Sequence, residues 1–175
     1  QIDRLKSIEP QVPGNLMRQA EAALARGDST EADKLFAKIE QETDTKIAEI
    51  AYQRCLIAFG SVRYSIAYGH CKRAIKLSPG NTTYLNRAGL VADTLGDYDK
   101  AIGYYEQALA SDLKTFGEDH PKVATRRNNL GSVWETKGEY DKAIEYYELA
   151  LASDLKTFDE DHPDVATDRN NLGSA

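Results

Sequence analysis

Apolar residues recur at spacings of three and four along the chain, and polar residues fill the positions between them. One clear run consists of Ile102, Tyr105, Leu109, Leu113 and Phe116. This spacing places the apolar side chains on one face of an α-helix. Pro and Gly residues separate successive runs, so the sequence predicts a series of amphipathic helices and no strand.

The pattern divides the chain into nine predicted helices. Their approximate bounds are 13–26, 30–42, 45–60, 64–77, 82–95, 98–116, 121–137, 140–158 and 163–175. Asp44 or Thr45 is expected to cap the third helix, and residues 1–12 are expected to form a linker or an N-terminal cap. Short connections force neighbouring helices to be antiparallel, so the predicted fold class is all-α, a string of helical hairpins.

One long segment occurs twice. Residues 97–132 reappear at 139–174, an offset of 42 residues, with few differences. Self-similarity at such a period is typical of proteins built by stacking one structural unit. Among the differences, Arg126 aligns with Asp168, and we interpret such differences as a change of charge at the edge of the stack.

The hairpins also share a common register of small and aromatic residues. A small residue recurs on the first helix of each hairpin, at Ala20, Cys55, Gly89, Gly131 and Gly173. Turn glycines follow at Gly27, Gly96 and Gly138, and an alanine recurs on the second helix at Ala32, Ala67, Ala101 and Ala143. This pattern resembles the tetratricopeptide repeat. The 42-residue units, with EDHP before a helix and NNLG within it, resemble those of kinesin light chain and similar bacterial arrays.

The resemblance implies a right-handed superhelical solenoid of antiparallel helix hairpins. It has about four full repeats and the first helix of a fifth within residues 13–175. The expected repeats lie near 13–47, 48–81, 82–123, 124–165 and 166–175. In this family the first helices line the concave face, where short peptides bind.

Carried over residue by residue, the family register predicts a peptide-binding set on the concave face. It comprises Asn86, Arg87, Thr125, Asn128, Asn129, Ser132, Asn170 and Asn171. An Asn side chain both donates and accepts hydrogen bonds, so a row of them suits the backbone of an extended peptide. The alternative is that these Asn residues only bridge adjacent first helices or face water.

Charge and cysteine content narrow the choice of partner and compartment. The formal net charge is −6, with basic residues spread along the chain, which disfavours a nucleic acid or a membrane as partner. No apolar run approaches the roughly 18 residues of a membrane span. Cys55 and Cys71 are expected to be buried free thiols, which suits a reducing compartment such as the cytoplasm.

Residues with catalytic or metal-binding potential form no recognisable site in the sequence. It contains no Gly-rich phosphate loop, HExxH or CxxC motif, and the many carboxylates are expected on solvated faces. His120 and His162 lie one repeat apart, but each precedes a Pro, which is typical of a turn that begins a helix. We therefore predict no enzyme activity, no metal site and no cofactor.

Two functional hypotheses follow from the sequence. The first is a protein-interaction or scaffold module that binds a peptide or a partner domain on its concave face, as part of a larger, bacterial, cytoplasmic protein. The second is a structural spacer or self-assembling array without a groove ligand. In the second, Leu172, on a helix without its hairpin partner, promotes self-association through the last repeat.

Overall fold

The computed structural model describes residues 14–175, and that part of the chain forms eight α-helices and no strand. The helices are α1 Gly14–Ala25, α2 Ser29–Gly60, α3 Tyr64–Leu77, α4 Thr82–Thr94, α5 Tyr98–Phe116, α6 Pro121–Thr136, α7 Tyr140–Thr157 and α8 Pro163–Ser174. Consecutive helices pack against each other, and α6 also contacts α8. The predicted all-α solenoid of stacked hairpins is confirmed. The linker or cap predicted for residues 1–12 lies outside the described residues.

The helix α2 corrects one predicted boundary. The sequence predicts two helices here, with a cap at Asp44 or Thr45, but the structure shows one continuous helix of 32 residues. The Thr45 hydroxyl donates to the carbonyl of Gln41 at 2.9 Å, so it bonds back along the helix and caps nothing. No Gly or Pro interrupts residues 41–47, so the chain has no reason to leave the helix there. The first half of α2 packs on α1 and its second half on α3.

The two helices of a hairpin touch where a small residue faces a large one sixteen positions later. A Cβ atom added to Gly89 would lie 2.6 Å from the ring of Tyr105, and one added to Gly131 would lie 2.5 Å from the ring of Tyr147. Both tyrosines are almost fully buried. Each ring therefore occupies the space that a side chain on the first helix would need, and this contact sets the distance between the helices.

In the hairpin of α2 and α3 a disulfide takes the place of the glycine–tyrosine contact. Cys55 and Cys71 are bonded, with Cα atoms 5.4 Å apart and a sequence separation of 16. Because Cys55 occupies the small-residue position and Cys71 the tyrosine position, the hairpin register itself brings the two sulfur atoms together. The prediction of two free thiols was wrong.

The turn after α2 contains a residue in an unfavourable backbone conformation. Val62 has φ 59°, close to the values at Gly27, Gly96 and Gly138 in the equivalent turns. A β-branched residue is strained in this left-handed region, whereas Gly is not. The hairpin therefore keeps its turn geometry even where the sequence lacks the glycine.

The turns before α6 and α8 are built alike. The Nδ1 atom of His120 accepts from the backbone N–H of Lys122 at 3.1 Å, and that of His162 from Asp164 at 3.2 Å. Each imidazole stacks on a phenylalanine, Phe116 or Phe158, with ring centroids 4.3 and 3.9 Å apart. Each His is followed by Pro in the first turn of its helix. The interpretation of both His-Pro pairs as helix starts is confirmed.

The glycine–tyrosine contact predicts opposite effects for two Gly→Ala substitutions. Gly131→Ala should lower the free energy of unfolding by about 1–3 kcal/mol, because the new methyl group collides with the Tyr147 ring. Gly103→Ala is the matched control: the structure leaves the space around this helical glycine open. It should stabilise the protein by about 0.5–1 kcal/mol. Urea denaturation followed by circular dichroism measures both, and equal effects would contradict the assigned contact.

The disulfide predicts a stability that depends on redox conditions. Replacing both Cys55 and Cys71 by Ala should lower the free energy of unfolding by ~3 kcal/mol, because the bond no longer restricts the unfolded chain. Adding dithiothreitol should lower the melting temperature of the wild type and leave that of the double variant unchanged. A wild type that is insensitive to reductant, and whose two thiols react once the chain is unfolded without reductant, would show that the bond does not form.

Candidate functional site

The first helices of successive hairpins, α4, α6 and α8, are joined by asparagine side chains. The Nδ2 atom of Asn129 donates to Oδ1 of Asn86 at 2.7 Å, and that of Asn171 donates to Oδ1 of Asn128 at 3.3 Å. We call Asn86, Asn128, Asn129 and Asn171 the Asn ladder. It bridges adjacent first helices, as the alternative interpretation of the sequence had it. Each primary amide still has further donor and acceptor capacity after one such bond.

A cavity of about 420 Å³ opens between α6 and α8, with α7 as its floor. It brings together five of the eight predicted peptide-binding residues: Thr125, Asn128, Asn129, Ser132 and Asn171. The other lining residues are Glu135, Tyr147, Asp154, Asp164, Thr167 and Asp168. We call this space the α6–α8 cavity. The Tyr147 hydroxyl donates to Oε2 of Glu135 at 2.8 Å, which holds that carboxylate at the wall.

The remaining three predicted residues lie outside the cavity. Asn86 belongs to the ladder through its bond to Asn129. Arg87 places its guanidinium carbon 5.6 Å from the ring centroid of Phe59, toward the preceding hairpin. Asn170 is exposed on α8. The predicted set therefore extends beyond the cavity along the surface lined by α4, α6 and α8.

Two buried carboxylates, Asp154 on α7 and Asp168 on α8, form the base of the cavity. Their exposed fractions are 3% and 0%. Oδ1 of Asp168 accepts a hydrogen bond from Asn128. Oδ1 of Asp154 and Oδ2 of Asp168 have no hydrogen-bond partner among the described residues. The expectation that the carboxylates lie on solvated faces was wrong here, because α8 packs directly over this part of α7.

Burial raises the pKa of both acids, and the negative charge of Asp164 raises both further. Burial first, and then the negative charges of Asp168 and Asp164, raise the pKa of the Asp154 carboxyl to about 6. Burial also raises the pKa of Asp168, while the hydrogen bond from Asn128 acts in the opposite direction. The folded state is therefore destabilised when both carboxyl groups are ionised.

One repeat earlier, the equivalent positions hold a salt bridge. Nε of Arg126 lies 3.1 Å from Oδ2 of Asp112, and their side chains are only 8% and 2% exposed. Asp112 and Asp154 are 42 residues apart, as are Arg126 and Asp168. The interpretation of the Arg126/Asp168 difference as an edge charge was wrong, because both side chains point into the stack.

Comparison with known proteins supports the repeat assignment. Residues 81–156 match the family described as "Tetratricopeptide repeat". Residues 81–156 carry tetratricopeptide repeats. A search of curated protein sequences gave no significant match. The more specific resemblance to kinesin light chain is not shown by these comparisons and stays a prediction.

Solved structures share the tetratricopeptide fold at low sequence identity. BtubC (BKLC) from P. vanneervenii superposes with a TM-score of 0.69 at 22% identity, covering 91% of this chain and 69% of that one. The type III secretion translocator chaperone SycD of Yersinia enterocolitica gives 0.62 at 16% identity, covering 87% and 96%. The N-terminal domain of stress-induced protein-1 (STI-1) from C. elegans gives 0.60 at 17% identity, covering 74% and 97%.

Sequence reasoning missed the acidic pair, although the tetratricopeptide register contained a signal for it. Arg126 follows the buried Val123 by three residues and precedes the buried Leu130 by four, so it lies on the inward face of its helix. Asp168 stands in the same relation to Val165 and Leu172. An Arg-to-Asp difference on that face, opposite an aspartate that both repeats share, indicates a buried pair of like charges.

The described residues were also compared with the requirements of a membrane-spanning helix and of a metal site. Among the described helices, none is long and apolar enough to cross a membrane. Across residues 14–175, no group of three or more His, Cys, Asp or Glu side chains is arranged to hold a metal ion. His120 and His162 instead use Nδ1 to cap their helices.

The acidic pair predicts a pH-dependent effect of Asp154→Asn. The folded state holds the Asp154 proton more tightly than the unfolded chain, whose Asp pKa is about 3.9. The wild type therefore loses stability as pH rises from there through about 6. Asp154→Asn lacks this titration and should raise the free energy of unfolding by about 1–2 kcal/mol at pH 7.5, with a smaller gain at pH 4.5.

Glu148→Gln is the matched control, because Glu148 is an exposed acid on the same helix. Urea denaturation at the two pH values should show little change for this variant. An equal gain for Asp154→Asn at both pH values would contradict the claim that ionisation of Asp154 destabilises the folded state.

Proposed function

We propose that the chain is a protein-interaction module, and that the surface lined by α4, α6 and α8 binds an extended peptide segment of a partner protein. The observation that carries the proposal is the α6–α8 cavity, which gathers five of the predicted residues around one opening. Thr125 and Ser132 are exposed along its α6 side, where a ligand backbone would pass. A cavity of about 420 Å³ is large enough to admit a side chain of that ligand.

The Asn ladder has two roles in this proposal. It holds the first helices at a fixed spacing, and it offers its remaining N–H and C=O groups to the peptide backbone. Bridging and ligand binding are therefore compatible, because one bond between two amides leaves further sites on each. We call the surface lined by α4, α6 and α8 the groove. Because the groove is held in place before the ligand arrives, it loses less conformational entropy on binding.

The proposal assigns binding and no catalysis to the described residues. The perturbed acids Asp154 and Asp168 lie at the base of a cavity whose other polar groups are amides, hydroxyls and carboxylates. Self-association through the last repeat stays a separate prediction, and light scattering over a range of concentrations tests it.

The predicted cytoplasmic location loses one of its arguments in the structure. That prediction used two reduced cysteines, whereas Cys55 and Cys71 are bonded to each other. Disulfides persist mainly in oxidising compartments. We therefore propose that the chain works where this bond survives, and alkylation of cell extracts followed by mass spectrometry measures the fraction that is oxidised.

The groove assignment is tested by selecting peptides on the purified chain and then blocking the groove. Ser132→Trp places a large ring at the mouth of the α6–α8 cavity without removing any ladder residue. It should weaken the selected peptides by about tenfold or more, since each 1.4 kcal/mol of lost binding is a factor of ten. Fluorescence polarisation measures the affinity.

Gln107→Trp is the matched control, because Gln107 is exposed on α5 and lies outside the cavity lining. This variant should bind as the wild type does. Equal affinity for wild type and Ser132→Trp, with both folded by circular dichroism, would show that the peptides bind elsewhere.

A further inference from the structure

We infer that the α6–α8 cavity is a specificity pocket for an arginine side chain of the partner, whose guanidinium group binds between Asp154 and Asp168. This inference rests on the proposed function and deepens it, since it states which side chain the groove selects.

The chain itself shows which group satisfies a carboxylate at this position. One repeat earlier, the guanidinium of Arg126 bonds Asp112 inside the stack. In the last repeat the floor carboxylate is kept as Asp154, but the residue equivalent to Arg126 is Asp168. The internal cation has thus been replaced by a second anion, and a cavity lies over the pair.

Both acids line that cavity, and each has one oxygen atom whose hydrogen-bonding capacity is unused. Asp154 and Asp168 are 3% and 0% exposed, and Oδ1 of the first and Oδ2 of the second have no hydrogen-bond partner among the described residues. A buried polar atom without a partner is unfavourable, and more so if it is charged. A guanidinium group has five N–H donors in a planar fork, which matches two adjacent carboxylates better than a single ammonium does.

Other charges around the cavity favour a cation as well. Asp164 and Glu135 also line it, and the lining contains no Lys or Arg. The buried guanidinium of Arg127 is held by the carbonyl oxygens of Glu118 and Leu149. The imidazole of His162 lies 3.7 Å from Asp164 and is committed to capping α8. A bound metal ion is a poorer fit, because no group of three or more ligating side chains forms in residues 14–175.

The test compares two acetylated, amidated pentapeptides of glycine and serine, one with a central arginine and one with citrulline. Citrulline has nearly the same shape and no charge. The difference in affinity between the two peptides therefore measures the contribution of the charged guanidinium group. Titration into the ¹⁵N-labelled chain at low and moderate salt should show at least about tenfold tighter binding of the arginine peptide. The amide signals of Asp154, Asp168 and Asn128 should shift on binding. A lysine peptide should fall between the two.

Two variants remove the pocket in different ways. Asp168→Arg recreates the pair seen between Arg126 and Asp112, so it should fold, fill the cavity from inside and abolish the arginine preference. Asp168→Asn keeps the size of the side chain and should reduce the preference if the charge is what matters. Asp161→Arg is the control: it makes the same change of net charge at an exposed turn and should keep most of the preference.

The outcomes separate this inference from the proposed function. Equal affinity for the arginine and citrulline peptides, no detectable binding of the arginine peptide at millimolar concentration, or a preference that survives in Asp168→Arg would overturn the arginine pocket. None of these results bears on the groove, which is judged by whether Ser132→Trp weakens peptides selected without bias toward arginine. Loss of that effect would overturn the groove and leave any arginine binding as an isolated subsite.

Discussion

The close contact between the two helices of each hairpin is the constraint on which the rest of the structure depends. A small residue on the first helix meets a bulky or bonded one sixteen positions later: Gly89 with Tyr105, Gly131 with Tyr147, and Cys55 with Cys71. This contact fixes the spacing within a hairpin and therefore the plane in which the next first helix lies. The Asn ladder and the α6–α8 cavity exist because α4, α6 and α8 are brought into line in this way. The disulfide has the same separation of sixteen residues, so the hairpin register is kept although a covalent bond replaces the glycine–tyrosine contact.

The contacts between repeats vary more than those within a hairpin. At one equivalent position, a pair of opposite charges in one repeat is replaced by a pair of like charges in the next. Arg126 and Asp112 neutralise each other inside the stack, whereas Asp168 faces Asp154 with like charge. A buried pair of acids destabilises the folded state unless a cation or a proton joins it. A local disagreement of this kind at the wall of a cavity is more typical of a binding site than of packing.

The sequence predicted most of the fold because its signals are local. Helix periodicity, the Gly turns and the His-Pro starts each depend on a few neighbouring residues, and the repeat adds an internal comparison. The continuity of α2 escaped prediction because Asp44 and Thr45 are good caps in isolation, yet the Thr45 hydroxyl bonds to Gln41 and no Gly or Pro ends the helix. The disulfide and the burial of Asp168 depend on which helix faces which. Such contacts join residues on different helices, and the structure shows them where local patterns do not.

In a stacked array each hairpin contacts only its neighbours, so stability is close to a sum of local terms. The repulsion between Asp154 and Asp168 therefore weakens the junction of α7 with α8 and leaves the hairpins nearer the N-terminus unaffected. A cation that enters the α6–α8 cavity would offset the repulsion at that same junction, so part of its binding free energy would appear as local stability. Arg126 achieves the same result permanently one repeat earlier. On this proposal, the two repeats differ in the source of the cation. Arg126 of the chain itself neutralises the first junction, and a side chain of the partner neutralises the second.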